Sequence, residues 1–97
     1  MEEFELYWAE VEFQDIEGSK LRPVMIIDSN AYLVSCLSVT SNTSRPEDYV
    51  IKRWREAGLS RPSAIKLHQI IDLDPSMIDR RIGKLDAYDI SIIRTLI

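Results

Sequence analysis

Arg22, Thr40, Ser41 and His68 carry side chains that suit metal-free cleavage of RNA. In that reaction the ribose 2′-OH attacks the adjacent phosphate, so a base must take the 2′ proton and an acid must protonate the leaving 5′ oxygen. Other groups must stabilise the charge that develops on the phosphate. Arg22 offers a fork of donors to phosphate oxygens, and Thr40 and Ser41 can position the phosphate by hydrogen bonds. His68 supplies an imidazole, a side chain well suited to proton transfer near neutral pH.

Strand register predicts that Arg22 and Thr40 lie at one edge of a sheet. Residues 24–27 and 32–39 are apolar runs rich in β-branched side chains, which predicts two central strands joined as a hairpin. With a tight turn between them, Arg22 pairs opposite Leu37 and Thr40 lies three residues beyond, about 10 Å away. A long arginine side chain can largely span that distance.

Lys66 and His68 are expected to extend this set. Residues 63–73 alternate loosely, and a period of two puts Lys66 and His68 on one face with Ile65 and Leu67 on the other. If that face borders the edge described above, Arg, Lys, His, Thr and Ser side chains surround one groove. Each residue also has a purely structural explanation, since a Thr-Ser pair is commonly a turn and a lone histidine is commonly structural.

The remaining pattern predicts short strands and one terminal helix. Residues 4–13 and 49–51 are predicted strands, a helical turn ends at Gly58, and residues 79–85 form a last short strand. Asp86 is a candidate N-cap for the tail helix. That helix carries an apolar stripe formed by Leu85, Tyr88, Ile92, Ile93 and Leu96. The fold class is therefore mainly β with an α+β character, a small barrel-like sheet packed by a C-terminal helix.

Composition predicts one globular domain over residues 1–97, with 45% hydrophobic and 29% charged residues. The chain has no apolar run long enough to span a membrane and its N-terminus is acidic, so we expect a cytoplasmic protein. The single cysteine, Cys36, is expected to pack as a small hydrophobe. Residues 1–18 contain seven acids and no base, whereas residues 19–66 contain eight bases and four acids. This asymmetry suggests a basic face on an acidic body, although it also fits an ordinary solvated surface.

Four short motifs resemble those of the MazF/PemK toxins and occur in the same order. Residues 18–27 read Gly-Ser-Lys-Leu-Arg-Pro-Val-Met-Ile-Ile, like the glycine loop, Arg-Pro-Val and apolar strand of that family. Residues 39–41 resemble its Thr-Ser strand end, and residues 58–70 resemble its Gly-Leu and Lys/Arg-Pro-Ser strand. Residues 82–85 resemble the Ile-Gly-x-Leu before its final helix. The resemblance thus covers nearly the whole chain.

This resemblance implies an SH3-like barrel that forms a homodimer and cleaves single-stranded RNA without a metal or other cofactor. It also implies a cognate antitoxin, whose tail covers the RNA groove. The catalytic residues on this basis are Arg22, Thr40 and His68. The residues expected to bind substrate are Gly18, Lys20, Ser41, Lys66 and Gln69.

The chain departs from the family pattern at His68, where several members have an acid. Either the imidazole transfers protons, or Arg22 serves in more than one step. Trp54 is expected in the core or at a dimer contact, with base stacking as the alternative. Two other functions remain open: a non-enzymatic toxin of this fold that binds a protein target such as a topoisomerase, and a scaffold domain that dimerises through residues 86–96.

Overall fold

The computed structural model describes residues 1–12 and 19–97, which form one antiparallel sheet and one C-terminal helix. The strands are β1 (Glu5–Glu12), β2 (Ser19–Ser29), β3 (Val34–Thr40), β4 (Tyr49–Val50), β5 (Ala64–Leu73) and β6 (Ile78–Lys84). Helix α1 is Ala87–Ile93, and a 3₁₀ turn, Pro75–Met77, joins β5 to β6. The sheet order is β4-β5-β3-β2-β1-β6. The mainly β class with a terminal helix is confirmed, although the described strands β4 and β6 do not pair to close the sheet.

The hairpin of β2 and β3 has a different register from the one predicted. Val24 pairs with Ser38, so Arg22 does not lie opposite Leu37, which instead pairs with Met25. The error came from the turn, which is longer than the tight turn assumed. The side chain of Asn30 accepts hydrogen bonds from the backbone N–H groups of Tyr32 and Leu33 and so holds a wider loop.

Two apolar clusters form on opposite faces of the sheet, because alternate side chains of each strand point to opposite sides. The main core contains Leu6, Met25 and Leu37, and α1 packs on it through the fully buried Ile93. The second core is small and consists of Ala9, Val24, Ile26, Val34 and Cys36. Cys36 is fully buried, as predicted for a small hydrophobe, and burial raises the pKa of its thiol to about 11.

Residues 52–58 form a turn that ends at Gly58, as the sequence predicted. The N–H of Leu59 donates to the carbonyl of Trp54, and the N–H of Gly58 donates to that of Arg55. This pair of bonds is the Schellman pattern, and it requires the positive φ of 95° found at Gly58. Trp54 and Leu59 both pack against the main core, so the predicted core position of Trp54 is confirmed.

Gly83 of β6 lies against this turn without room for a side chain. A Cβ on Gly83 would lie 2.0 Å from the carbonyl oxygen of Ala57, and a Cβ on Gly58 would lie 2.6 Å from that of Ile82. The two glycines therefore let the turn and β6 approach each other backbone to backbone. This contact holds Leu59 and Ile82 side by side below the open end of the sheet.

Helix α1 begins at the predicted N-cap, since the Asp86 side chain accepts a hydrogen bond from the N–H of Tyr88. The predicted apolar stripe is only partly correct. Ile93 is fully buried, but Tyr88 and Leu96 are 47% and 50% exposed. A charged residue, Asp89, is instead completely buried between the helix and the segment after β4.

Strand β5 contains a large irregularity that the sequence did not predict. Ile70 pairs with Leu37 and Ile65 pairs with Val39, so four residues of β5 face a single residue of β3. The bulge changes the direction of the strand, as bulges generally do. The bulge covers residues 66–69, where the regular alternation predicted Lys66 and His68 on one face of the strand.

Candidate active site

A cleft of about 410 Å³ opens at the end of the sheet where β2 begins and β3 ends. The pairing of β2 with β3 starts only at Val24, after Pro23, which has no backbone N–H to donate. Beyond that point Thr40 pairs with Ala64 of β5. The strand ends thus separate over the main core and leave the cleft between them.

The floor of this cleft is apolar and continues the main core. Trp8 pairs with Pro23 across β1 and β2, two residues beyond the buried pair of Leu6 and Met25, and therefore lies on the same face. Val39 follows Leu37 on that face in β3. The floor residues are Trp8, Leu21, Pro23, Val39, Leu59 and Ile82.

The rim is polar and cationic. It is formed by Arg22, Thr40, Ser41, Ser60, Arg61 and Ser63. The pairing of Val24 with Ser38, continued by two residues, places Arg22 and Thr40 at matching positions of β2 and β3. They therefore lie at the same end of the sheet, each two residues beyond the last pair, and both line the cleft.

The Thr40 hydroxyl is oriented by the backbone that follows it. Its oxygen accepts a hydrogen bond of 3.1 Å from the N–H of Asn42. Because that oxygen is already an acceptor, its own hydrogen remains available to donate to an anion. The Asn42 side chain in turn accepts from the N–H and hydroxyl of Ser44, which fixes the loop after β3.

Arg61 is held at the opposite side of the cleft by a short buried segment. The side chain of Ser63 is nearly fully buried and donates a 2.9 Å hydrogen bond to the carbonyl of Arg61. The carbonyl of Ser63 accepts from the N–H of Ile51, which anchors the segment to the core. The exposed guanidinium of Arg61 forms no ion pair with the residues that the structure describes.

The charged side chains among the described residues that line the cleft are positive. Two arginines line it, whereas none of its described lining residues is an acid or a histidine. Hydroxyl groups with two guanidinium groups can bind and polarise a phosphate, while the apolar floor lowers the local dielectric and strengthens those contacts. In the described part of the chain, no three His, Cys, Asp or Glu side chains lie together as metal ligands would.

Three of the residues predicted from sequence come together here, namely Arg22, Thr40 and Ser41. Lys20, Lys66, His68 and Gln69 are described but do not line the cleft. His68 is exposed within the bulge of β5. The predicted proximity of Lys66 and His68 to the Arg22 edge is therefore not found in this chain. Gly18 lies outside the described residues.

The cleft also contains functional candidates that the sequence prediction missed, above all Trp8 and Arg61. Trp8 lies between Tyr7 and Ala9 in the first predicted strand, and that pattern gave no sign of a binding surface. Arg61 belongs to the Arg-Pro-Ser motif at residues 61–63, and that motif was the available signal. Its place in the cleft becomes visible only in the folded chain, where the segment before β5 brings it to the same cleft as Arg22.

The whole chain matches one protein family. The profile of the PemK-like, MazF-like toxins of type II toxin-antitoxin systems matches residues 2–97, so the chain belongs to this family. No individual curated protein matches it significantly. Membership makes the chain the toxin component of such a system and implies a cognate antitoxin as its partner. Within the described residues, no helix is long and apolar enough to cross a membrane.

Proposed function

We propose that this toxin is a metal-independent endoribonuclease that cuts single-stranded RNA by attack of a ribose 2′-OH on the adjacent phosphate. The observation that carries the proposal is that Arg22 and Thr40 lie together at the rim of a cleft whose described lining residues include no acid. An anionic backbone is the substrate that such a rim favours, and an unpaired base suits the apolar floor.

Three of the rim residues, Arg22, Thr40 and Ser41, have definite roles in this reaction. The Arg22 guanidinium binds the scissile phosphate and stabilises the charge of the pentacoordinate transition state, and it hydrogen-bonds to the leaving 5′ oxygen. The Thr40 hydroxyl donates to a second phosphate oxygen, and Ser41 assists it. Because His68 lies outside the cleft, water accepts the 2′ proton and the leaving 5′ oxygen takes a proton from water. Arg22 then serves in more than one step, since it stabilises both the transition state and the leaving oxygen.

We also propose that the protein acts as a homodimer in the cytoplasm, where its RNA substrate is found. Exposed apolar side chains near the chain end, those of Tyr88, Leu96 and Ile97, support a dimer contact. A Leu96→Lys variant should then sediment as a monomer. The control variant Thr95→Lys, at the neighbouring position, should sediment as a dimer. A monomeric wild type would contradict the dimer.

The test of catalysis is an RNA digestion in the presence of a chelator. Wild type should produce new 2′,3′-cyclic phosphate ends from a defined single-stranded RNA, and a 2′-deoxy substitution at the cut site should abolish them. Arg22→Ala should lower the rate on the order of 10²-fold or more, because it removes a donor to the transition state. Thr40→Ala should lower it by a smaller factor.

Two further variants make the result specific. Arg45→Ala removes an exposed arginine that does not line the cleft, so its rate should equal that of wild type. His68→Ala should have a smaller effect than Arg22→Ala, and an equal loss would assign His68 to proton transfer. If wild type leaves the RNA intact, or if Arg22→Ala cuts as fast as wild type, the proposal is wrong.

A further inference from the structure

The cleft is divided in a way that matches one nucleotide. Its apolar floor and its polar rim lie side by side within about 410 Å³, a volume at the lower end for ligand sites. A nucleotide has the same division, with a flat apolar base on one side and a charged phosphate on the other. The floor therefore has a function that phosphate binding alone does not explain.

Trp8 is the one aromatic residue among the described residues that line this floor. Its side chain is half-buried, so part of the indole remains accessible from the cleft. Trp8 pairs with Pro23 and Ala9 pairs with Arg22, so Trp8 and the arginine that binds phosphate in the proposed reaction occupy adjacent register positions, and both line the cleft. A base held on Trp8 thus leaves its phosphate at the rim.

We propose that Trp8 is a substrate-positioning residue on which one unpaired base of single-stranded RNA stacks next to the scissile phosphate. This inference rests on the proposed function, because the adjoining phosphate is the one that Arg22 and Thr40 act upon. Stacking on an indole tolerates every base, so Trp8 fixes the position of the strand. Leu21 and Leu59 line the same floor, so they determine which bases fit.

Trp54 provides a matched comparison within the same chain. It is also half-buried, but it packs against the main core and its ring is covered by the guanidinium of Arg55, 4.8 Å from the ring centroid. It does not line the cleft. The chain contains two tryptophans, so a Trp54→Phe variant leaves Trp8 as the single indole fluorophore.

The first experiment is a double-mutant cycle in which Trp8 and the substrate base are changed singly and together. Cleavage of an RNA oligonucleotide is measured for wild type, Trp8→Leu, Trp8→Phe and Trp54→Phe, with abasic riboses placed on either side of the cut. For wild type, one abasic position should raise KM by about 5- to 150-fold, the range for base stacking on aromatic residues. Trp8→Leu should raise KM by a similar factor on the intact substrate. For this variant, the abasic substitution should then cause no further increase in KM. Trp8→Phe should retain most of the affinity, and Trp54→Phe should behave as wild type.

The second experiment does not depend on cleavage or on the stability of a Trp8 variant. The fluorescence of Trp54→Phe is titrated with an oligonucleotide that has a 2′-deoxy ribose at the cut site. The intact oligonucleotide should quench Trp8, and the abasic form should not. If wild type does not cut RNA but this quenching occurs, the proposed catalysis fails while base binding by Trp8 stands.

Other results overturn the inference by itself. If wild type cuts RNA and Trp8→Leu has an unchanged KM, or keeps the full abasic effect, Trp8 does not hold the base. Absence of quenching by the intact oligonucleotide would mean the same. Circular dichroism of each variant establishes that it is folded before its kinetics are compared.

Discussion

The Tyr49 hydroxyl donates a 2.5 Å hydrogen bond to the carboxylate of Asp89, and this contact joins the shortest strand to the C-terminal helix. The same carboxylate accepts from the backbone N–H groups of Lys52 and Arg53, each at 2.9 Å. Burial and the neighbouring Asp89 raise the pKa of Tyr49, so it stays a neutral donor. Asp89 therefore fixes the chain leading from β4 to the turn that supports the cleft.

We predict that Asp89→Ala lowers the free energy of unfolding by about 3 kcal/mol or more, because it leaves three donors without a buried acceptor. Asp89→Asn should cost less, since one oxygen remains. Urea denaturation of the variants measures both values. Asp79→Asn, at an exposed site in β6, is the control and should match wild type. A fully stable Asp89→Ala would contradict the structural role.

Acid stability should depend on Glu5, a buried residue of β1. The Arg81 guanidinium donates to its carboxylate at 2.5 Å, and this bond, with one from the N–H of Glu2, holds the pKa of Glu5 below the ordinary 4.5. A lowered folded pKa stabilises the protein above about pH 4.5, and that contribution is lost as the pH falls through the folded value.

The prediction is that the unfolding free energy of wild type falls below pH 5 more steeply than that of Glu5→Gln. Urea titrations from pH 3 to pH 7 compare the two slopes. Glu47→Gln, which alters an exposed acid, should keep the slope of wild type. Identical slopes for wild type and Glu5→Gln would show that Glu5 does not carry this linkage.

Local signals in the sequence predicted the strands, turns and helix of this fold, whereas they did not predict the register between strands. The cap at Asp86 and the stop at Gly58 follow from residue types acting within one turn, and both predictions are confirmed. The register of β2 and β3 depended on the length of one turn, and Asn30 fits both a tight turn and the wider loop observed. The prediction paired Leu37 with Arg22, whereas Leu37 pairs with Met25, so the register was wrong by three residues.

The candidate site was predictable only where motifs marked it. Arg22 and Thr40 stood at the ends of apolar strands, so their types and positions suggested a shared edge. Lys66 and His68 lie in the bulge of β5 and not at that edge. The residue types at positions 66–69 contain no local signal that predicts a bulge. Trp8 became a candidate only through long-range pairing with Pro23.

Gly83 should be intolerant of any side chain. In Gly83→Ala the new methyl group would meet the carbonyl of Ala57 at 2.0 Å, so the turn and β6 must separate. We expect a loss of about 1–3 kcal/mol or more in unfolding free energy, the range for overpacked sites. Thermal and urea unfolding measure it, with Lys84→Ala at the next, exposed position as the control. Wild-type stability would mean that the close approach is not required.

Arg61 should bind a second phosphate of the RNA across the cleft from Arg22. Arg61→Ala is then expected to raise KM by about 10- to 150-fold, as loss of a charged hydrogen bond to phosphate does, with a smaller effect on kcat than Arg22→Ala. The slope of log affinity against log salt should also become shallower by about 0.7, the value for one phosphate contact to a single strand.

The salt slope separates this role from a structural one, because a distorted cleft would weaken binding without removing a counterion. Arg45→Ala, at an exposed site away from the cleft, should leave both KM and the slope unchanged. Arg61→Lys keeps the charge and should restore the slope while recovering only part of the affinity, because an ammonium lacks the planar fork of donors. A slope equal to that of wild type in Arg61→Ala would remove Arg61 from the RNA-binding surface.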